Sequence, residues 1–332
     1  MIPESRCHIV SAQVDHLVVI HPKLLLVATA IQSDWSKTMN KYSFSILTFV
    51  IAFLLITTSI KPSSIYAVPD NQKMKPEELV SKHLQSLGSQ ESLDPARSRI
   101  ITGKAKVTLK TGGHGQMEGE ARLVSQNEKS LVSMMFRDLE YPHEKMGFDG
   151  KKLRVSQIKP GVRTIMGRYL LTNEILFKEG LFGGVLSTSW PLMDLSKRNP
   201  KLQYDGLRKV DKRQLHQMKY SAKSGSDVKV NLFFDPETFR HVMTKYQQTL
   251  NPGGASNRPG ESAGQDETRI FITEEFLEFN PEGGLSLPHL YKLKLEIIGP
   301  GSSVFYDWSV VLTGFTFGES IGANEFNVDA GN

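Results

Sequence analysis

Apolar and polar residues alternate with a period of two over much of the chain from residue 100 onward. Between residues 104 and 123, Ala105, Val107 and Leu109 alternate with charged or polar neighbours, and a Gly-rich turn separates this run from its return. Because a period of two places successive side chains on opposite faces of a strand, the region predicts a long antiparallel hairpin. Similar alternation predicts strands at about 131–136, 144–148, 152–156, 201–209, 215–222, 228–232, 240–250, 270–279, 291–297 and 305–317, with 326–328 finishing the sheet.

Two segments lack this alternation and predict helices. Pro76 and two carboxylates precede an apolar stripe that stops at Gly88, which is the order expected for a helix over 76–87. From Ile165 to Leu195 apolar residues crowd several sides. That pattern predicts a helix over about 169–179, a break at the glycines 180, 183 and 184, and a short helix near 190–195.

The balance of elements indicates the fold class. Strands outnumber helices, hairpin-length turns join neighbours, and no strand–helix–strand repeat occurs. We therefore expect a mainly β (α+β) fold with a single curved antiparallel sheet. Its apolar face needs a cover, and the predicted helical segments are the candidates.

The N-terminal part is typical of an export signal. Met39 and Lys41 precede an apolar stretch at 42–60, and small residues end at Ala67. We interpret 39–67 as a signal peptide cleaved after Ala67, which would place the protein in the periplasm. The alternative is an uncleaved inner-membrane anchor formed by residues 42–60.

An export signal normally begins at the initiator methionine, so residues 1–38 are interpreted as a mis-called extension of the reading frame. The remainder, 68–332, is expected to be one domain. Within it, residues 251–268 are rich in Gly, Pro, Ser and Asn without a large apolar residue, and predict a flexible loop.

Composition excludes several classes of protein. The chain has 332 residues, of which 39% are hydrophobic and 23% charged, as in ordinary globular proteins and unlike collagen or coiled coils. The formal net charge of +5 is small for a nucleic-acid-binding protein, so no nucleic-acid partner is expected. Cys7 is the only cysteine, which excludes an intrachain disulfide and a cysteine-rich metal site.

No catalytic or cofactor motif stands out. The nucleophile-elbow, zinc-protease, Walker and dinucleotide patterns are absent, and no two histidines after residue 67 have ligand spacing. Glu274, Glu275 and Glu278 offer carboxylates, but 274 and 275 would point to opposite faces of a strand, and a solvated strand face is the expectation. We therefore expect no catalytic residues, no metal, no cofactor and no enzyme activity.

Two features suggest binding. The apolar residues of 165–195 exceed what one helical stripe buries, so they form either simple core or a lid over an apolar ligand. The candidate lid or cavity residues are Leu170, Leu171, Leu176, Phe177, Leu181, Phe182 and Trp190. Basic residues recur from Lys145 to Arg168 and from Lys197 to Arg213, which indicates a solubilising surface or one that meets anionic lipid headgroups or an acidic partner.

The order of elements and several turn motifs resemble the LolA/LolB-type lipoprotein-localisation superfamily over roughly 76–330. The motifs are the helix ending at Gly88, the hairpin from Ile100-Ile101-Thr102-Gly103, Phe148-Asp149-Gly150, the stretches 180–186 and 233–238, and Gly283-Gly284-Leu285-Ser286-Leu287-Pro288-His289. The resemblance implies a periplasmic protein with a strongly curved antiparallel sheet, an unclosed barrel, lidded by helices over a cavity that takes acyl chains. The chain departs from LolB-type members in lacking a lipid-attachment cysteine, and its 251–268 loop looks like an insertion.

The expected function is that of a non-enzymatic periplasmic carrier or binding protein for lipid or lipoprotein acyl chains, with transient membrane contact. The alternative is an envelope sensor or protein-interaction module of the same fold, which would bind an envelope protein partner. An enzyme is the third reading.

Overall fold

The computed structural model describes residues 74–110, 115–250 and 267–328. Several sequence predictions lie outside these residues. They are the extension at 1–38, the signal peptide at 39–67, the alternative anchor at 42–60 and all but the end of the loop at 251–268. Within the described residues, no helix combines the length and the apolar character required to cross a bilayer.

Strands make up most of the described chain. They are β1 (Ser98–Leu109), β2 (Gly115–Gln126), β3 (Lys129–Phe136), β4 (His143–Phe148), β5 (Leu153–Val155), β6 (Lys201–Val210), β7 (Arg213–Ser221), β8 (Lys229–Phe234), β9 (His241–Leu250), β10 (Thr268–Glu282), β11 (Leu285–Gly299) and β12 (Ser302–Phe317). The α-helices are α1 (Pro76–Leu87), α2 (Gln90–Leu93), α3 (Ile165–Thr172), α4 (Ile175–Lys178) and α5 (Leu195–Arg198). Short 3-10 helices occur at Pro95–Arg97, Gly184–Leu186, Pro191–Met193 and Ala323–Phe326.

All twelve strands form one sheet in the order β5-β4-β3-β2-β1-β12-β11-β10-β9-β8-β7-β6. Every neighbouring pair is antiparallel. The edge strands β5 and β6 do not pair with each other, so the sheet is not closed into a barrel. The expected fold class, mainly β with a single unclosed antiparallel sheet and a few covering helices, is confirmed.

The sheet is curved around its core. A flat sheet of this size would be about 50 Å wide, at about 4.8 Å per strand. Yet side chains from every strand belong to, or pack against, one apolar cluster that also contains α1 and residues of 165–195. We call the sheet face that carries this cluster the concave face. The cluster therefore spans the whole face of the sheet, from β5 to β6.

The predicted helix over 76–87 is confirmed as α1, with proline in its first turn and two glutamates after it. Its buried stripe consists of Leu79, Val80, His83 and Leu87, which face the apolar cluster. A histidine in this stripe is unusual, because burial favours its neutral form.

The segment 165–195 is more broken than predicted. The single helix expected over 169–179 is instead two helices, α3 and α4. Thr164 caps α3 and starts it earlier. Asn173 ends it, because its side-chain amide bonds the Tyr169 carbonyl of the preceding turn. The glycine break is confirmed, since α4 ends at Lys178 and the next helical turn begins at Gly184. Gly180, with φ of +69°, lies so close to the Ser189 carbonyl that a Cβ there would overlap it.

The prediction of a strand at 326–328 is wrong. Ala323–Phe326 is a 3-10 helix, and Phe326 and Val328 pack with Val124 and Leu131 in a separate small cluster. The reason lies in the sheet order. The strand that precedes this segment, β12, is already flanked by β1 and β11, so no free edge is available beside it.

Candidate functional site

The candidate lid residues lie along one stretch over the concave face, which we call the covering segment (residues 165–195). Six of them are at most 2% exposed, and Leu171 is half-buried. The full set is Leu170, Leu171, Leu176, Phe177, Leu181, Phe182 and Trp190. All belong to or pack against the apolar cluster. The structure therefore brings them together, while their contact with a ligand stays a prediction.

A buried carboxyl group holds the start of the covering segment. The Thr164 hydroxyl accepts from the Gly167 backbone N–H (3.0 Å) and donates to Oε2 of Glu144 on β4 (2.7 Å). The other oxygen of Glu144 accepts from the Tyr141 hydroxyl at 2.6 Å. That hydroxyl accepts in turn from the Trp308 indole N–H at 3.1 Å. A continuous chain of hydrogen bonds thus joins α3 to the sheet.

A second buried carboxyl group holds the middle of the covering segment. Glu274 on β10 is fully buried and accepts from the hydroxyls of Tyr246 and Tyr291, each at 2.6 Å. It also accepts from the backbone N–H of Gly183 in the covering segment at 2.8 Å. The Tyr246 hydroxyl lies 3.0 Å from the Leu181 carbonyl oxygen. Two tyrosines from the sheet and one backbone amide from the cover therefore surround this carboxyl group.

Burial changes the acidity of both carboxyl groups. It raises the pKa of Glu144 to about 7, against the opposing effect of the Tyr141 and Thr164 hydrogen bonds. It likewise raises the pKa of Glu274 to about 7, although its three donors favour the ionised form. Both groups therefore exchange protons near neutral pH, at two of the places where the cover meets the sheet.

The expectation of a solvated face for the glutamates of β10 is wrong for Glu274. Glu275 faces the other side and bonds Lys294 at 2.9 Å. The signal in the sequence was the alternation of strand faces. Glu274 lies on the same face of β10 as Ile272 and Phe276, which are fully buried. A charged residue in the apolar phase of a strand is buried with its neighbours, where it needs hydrogen-bond partners.

A histidine pair lies beneath Trp190. The Trp190 indole N–H donates to Nε2 of His83 at 3.0 Å, and Nδ1 of His83 donates to the Phe239 carbonyl at 3.2 Å. Acceptance at Nε2 requires the neutral ring, and burial lowers the pKa of His83 to about 4. The His241 ring stacks on Trp190 at a centroid distance of 4.5 Å. These contacts fix Trp190 against α1 and β9.

In the part of the chain that the structure describes, no three His, Cys, Asp or Glu side chains come together to hold an ion.

Arg99 on β1 is a buried cation that the sequence analysis did not single out. It is 3% exposed, and it donates from Nε to the Ala96 carbonyl (3.0 Å) and from Nη1 to the Val185 carbonyl of the covering segment (2.8 Å). Among the described residues it has no carboxylate partner. Burial lowers the pKa of its guanidinium to about 10, so it remains charged at neutral pH.

A cleft of about 720 Å³ opens at the end of the covering segment and the start of α5. Its walls come from the end of α1, residues 88–99, the β2–β3 turn and residues 188–198. The volume is within the range of small-molecule binding sites. Of the candidate lid residues, Trp190 lines it.

A smaller cleft of about 290 Å³ lies where α4 meets β7 and β8. Leu176 and Leu181 of the covering segment line it, together with Tyr220, Val228 and Val230. Its apolar lining is continuous with the concave-face cluster. The covering segment therefore borders both clefts.

Part of the basic run is neutralised on the protein itself. Arg154 bonds Asp149 at 2.5 Å, and Lys159 bonds Glu140 at 2.6 Å. Such ion pairs add little stability, but they reduce the positive charge available to a partner.

Comparison with known proteins gives similar folds at low sequence identity. No family model matches the chain, and no curated protein matches it. A DUF1329 family protein from Desulfovibrio piger is 9% identical with a TM-score of 0.37, and the match covers 76% of this chain and 98% of that one. A LolA superfamily protein from Nitrosomonas europaea is 13% identical with a TM-score of 0.38, covering 72% and 97%. At these identities and TM-scores the similarity says nothing about what this chain binds.

Proposed function

We propose that this protein is a non-enzymatic periplasmic carrier or binding protein for lipid or lipoprotein acyl chains, which it holds on the concave face beneath the covering segment. The observation that carries the proposal is the covering segment itself. It places six almost fully buried apolar side chains on the concave face of an unclosed sheet. Hydrogen bonds attach it there, among them those of Glu274 with Gly183, of Arg99 with Val185 and of Gln248 with Asn173.

The free energy gained by burying the cover's side chains is similar in size to that gained by burying an acyl chain. Burying a large apolar side chain contributes about 1.5–3 kcal/mol, so six of them contribute roughly 9–18 kcal/mol. An acyl chain of about 14 buried methylenes contributes roughly 11 kcal/mol at about 0.8 kcal/mol each. The two ranges overlap, so burial of an acyl chain can offset much of the cost of displacing the cover's own side chains from the concave face.

Two further features support the proposal. The smaller cleft already exposes the edge of the apolar cluster to solvent beside α4, which offers an entry point. The basic run would provide transient contact with an anionic membrane during transfer.

The test is direct detection and binding of ligand. Native mass spectrometry and lipid extraction of the purified protein should reveal bound lipid or lipopeptide. Delipidated protein should bind a fluorescent C16 fatty acid or a triacylated lipopeptide with saturable stoichiometry. Protein that carries no lipid and binds neither probe would contradict the proposal.

Leu171→Asp separates ligand binding from core packing. Leu171 packs against the apolar cluster but is half-buried, so a carboxylate there can stay hydrated in the ligand-free protein. We expect it to abolish acyl-probe binding while the circular dichroism spectrum stays native. Leu139→Asp is the matched control, because Leu139 is 90% exposed, and it should bind normally. Unfolding of Leu171→Asp would favour a purely structural role for the segment.

The sensor or interaction-module alternative gives a different outcome. Deleting the gene would then alter envelope signalling while lipoprotein sorting stays intact, and the purified protein would retain an envelope protein partner rather than lipid. Loss of sorting on deletion supports the carrier.

A further inference from the structure

The larger cleft contains positive charge that the described residues do not neutralise. Two of its four cations are in ion pairs: Arg97 with Asp94 at 3.1 Å, and Lys197 with Glu128 at 2.8 Å. The other two are Arg99 and Arg198.

Arg198 resembles Arg99 in its bonding. It donates from Nη1 to the Lys178 carbonyl (2.5 Å) and from Nη2 to the Ser189 carbonyl (3.2 Å). Neither guanidinium contacts a carboxylate among the described residues. Carbonyl oxygens satisfy some of the N–H donors but leave the positive charge. The remaining carboxylate of the lining, Asp194, accepts hydrogen bonds at the start of α5 from the Lys197 backbone N–H and the Ser196 hydroxyl, which likewise leave its negative charge. Four cations and three carboxylates therefore give the lining a net positive charge of one.

The same cleft has an apolar wall. Leu84 on α1, Leu93 on α2, and Met193 and Trp190 beside α5 line it. A ligand that fills the cleft therefore meets an apolar surface together with two guanidinium groups that contact no carboxylate among the described residues. An amphiphile with an anionic group and a hydrocarbon chain has this combination, since guanidinium groups form strong hydrogen bonds with phosphate and carboxylate.

We propose that this cleft binds the anionic group, a phosphate or a carboxylate, of an amphiphilic ligand through Arg99 and Arg198, with the start of its hydrocarbon chain against Leu84, Leu93 and Met193. The inference rests on the proposed function and adds the chemical class of the headgroup. Arg99 also bonds the covering segment through Val185, so headgroup binding occurs at a residue that holds the cover.

The experiment compares amphiphiles that share a chain and differ in headgroup. Isothermal titration calorimetry measures binding of decyl phosphate, decyl maltoside and inorganic phosphate to the full-length protein, with both detergents below their critical micelle concentrations. We expect decyl phosphate to bind about tenfold or more tightly than decyl maltoside, as one charge-assisted contact allows. The preference should shrink as salt is raised.

Three variants assign the preference to the cleft. Arg99→Gln and Arg198→Gln should each reduce the ratio of decyl phosphate to decyl maltoside affinity at least about fivefold. Each should weaken the binding of decyl phosphate and leave that of decyl maltoside unchanged. Arg198 is half-buried, so its variant should fold even if Arg99→Gln does not. Arg122→Gln is the control, because Arg122 is ion-paired with Glu325 and does not line the cleft. It should keep the wild-type ratio.

The outcomes separate this inference from the proposed function. Equal binding of both detergents, or a preference unchanged in Arg198→Gln, overturns the headgroup site while acyl binding stands. If inorganic phosphate binds as tightly as decyl phosphate, the hydrocarbon chain contributes nothing. The proposal of an amphiphilic ligand is then wrong, and the cleft binds a free anion. Failure of both detergents and of the C16 probe overturns the proposed function as well.

Discussion

A disulfide between Val155→Cys and Gly167→Cys should lock α3 onto β5 and stop ligand uptake. A Cβ built at position 167 would lie 3.8 Å from the Cβ of Val155, which is the mean separation across a disulfide. Replacing the one native cysteine, Cys7→Ser, leaves the engineered pair as the only thiols. The lock then joins the start of the covering segment to the edge strand of the sheet.

The structure gives the energy that this lock controls. Lifting α3 exposes Met166, Tyr169 and Leu170, which are 1%, 7% and 0% exposed, at roughly 5–9 kcal/mol in total. Breaking the bond between Thr164 and Glu144 adds about 1.5–3 kcal/mol. A cost of roughly 6–12 kcal/mol corresponds to an open population of about one molecule in 10⁴ or fewer. Uptake of an acyl probe should therefore be limited by opening.

Stopped-flow fluorescence with the C16 probe measures this limit. In the reduced protein the association rate should reach a plateau as probe concentration rises, because opening precedes binding. Oxidation of the 155–167 pair should lower the rate at least about 100-fold, since a covalent bond removes most of the open population, and reductant should restore it.

The control disulfide is Thr102→Cys with Gly314→Cys. These positions are partners on β1 and β12, and a Cβ at 314 would also lie 3.8 Å from the Cβ of Thr102. This bond stays within the sheet and should leave uptake unchanged. If the oxidised 155–167 protein takes up probe as fast as this control, α3 does not move during binding and the reasoning fails.

Three further results are expected. The free energy of unfolding should decrease by roughly 3 kcal/mol for each of Glu144 and Glu274 as pH rises from about 4.5 to about 7, because both bind a proton more tightly in the folded protein. Urea denaturation across this range measures the decrease. Glu274→Gln should remove about half of this dependence on pH. Probe uptake should accelerate as pH rises from 5 to 8, and a flat profile would contradict the role of these carboxyl groups. Gly184→Ala should destabilise the protein about 1–3 kcal/mol more than Gly225→Ala in thermal denaturation, because both have positive φ but only a Cβ at 184 lies 2.5 Å from the Phe276 ring.

The sheet could be predicted from the sequence because alternation of apolar and polar residues directly encodes strand faces. Ala105, Val107 and their neighbours fix which face of β1 is buried, and the observed burial follows the same alternation. The helices of the covering segment were harder to predict, because their ends depend on single side chains. Thr164 and Asn173 set the limits of α3 through hydrogen bonds that no periodicity contains.

The polar part of the candidate site was missed although its signal was present. Arg99 is in phase with Ile101, and Glu144 with Met146, as Glu274 is with Ile272. In each case a charged residue occupies an apolar position of a strand. The alternation of strand faces predicts that such a residue is buried. Each has a partner far away in the sequence, which for Arg99 is Val185, for Glu144 is Thr164 and for Glu274 includes Tyr246 and Gly183, so only the folded structure identifies the complete set.

The position of these groups explains why opening and ionisation should be linked. When the cover leaves, Glu274 loses the Gly183 amide but keeps both tyrosines, which belong to the sheet. Glu144 similarly loses Thr164 and keeps Tyr141. Water replaces the lost donors and removes most of the cost of burying a charge. Ionisation above about pH 7 therefore favours the open protein over the closed one, while the hydrogen bonds that remain keep both carboxyl groups on the sheet, beside the apolar surface that an acyl chain would cover.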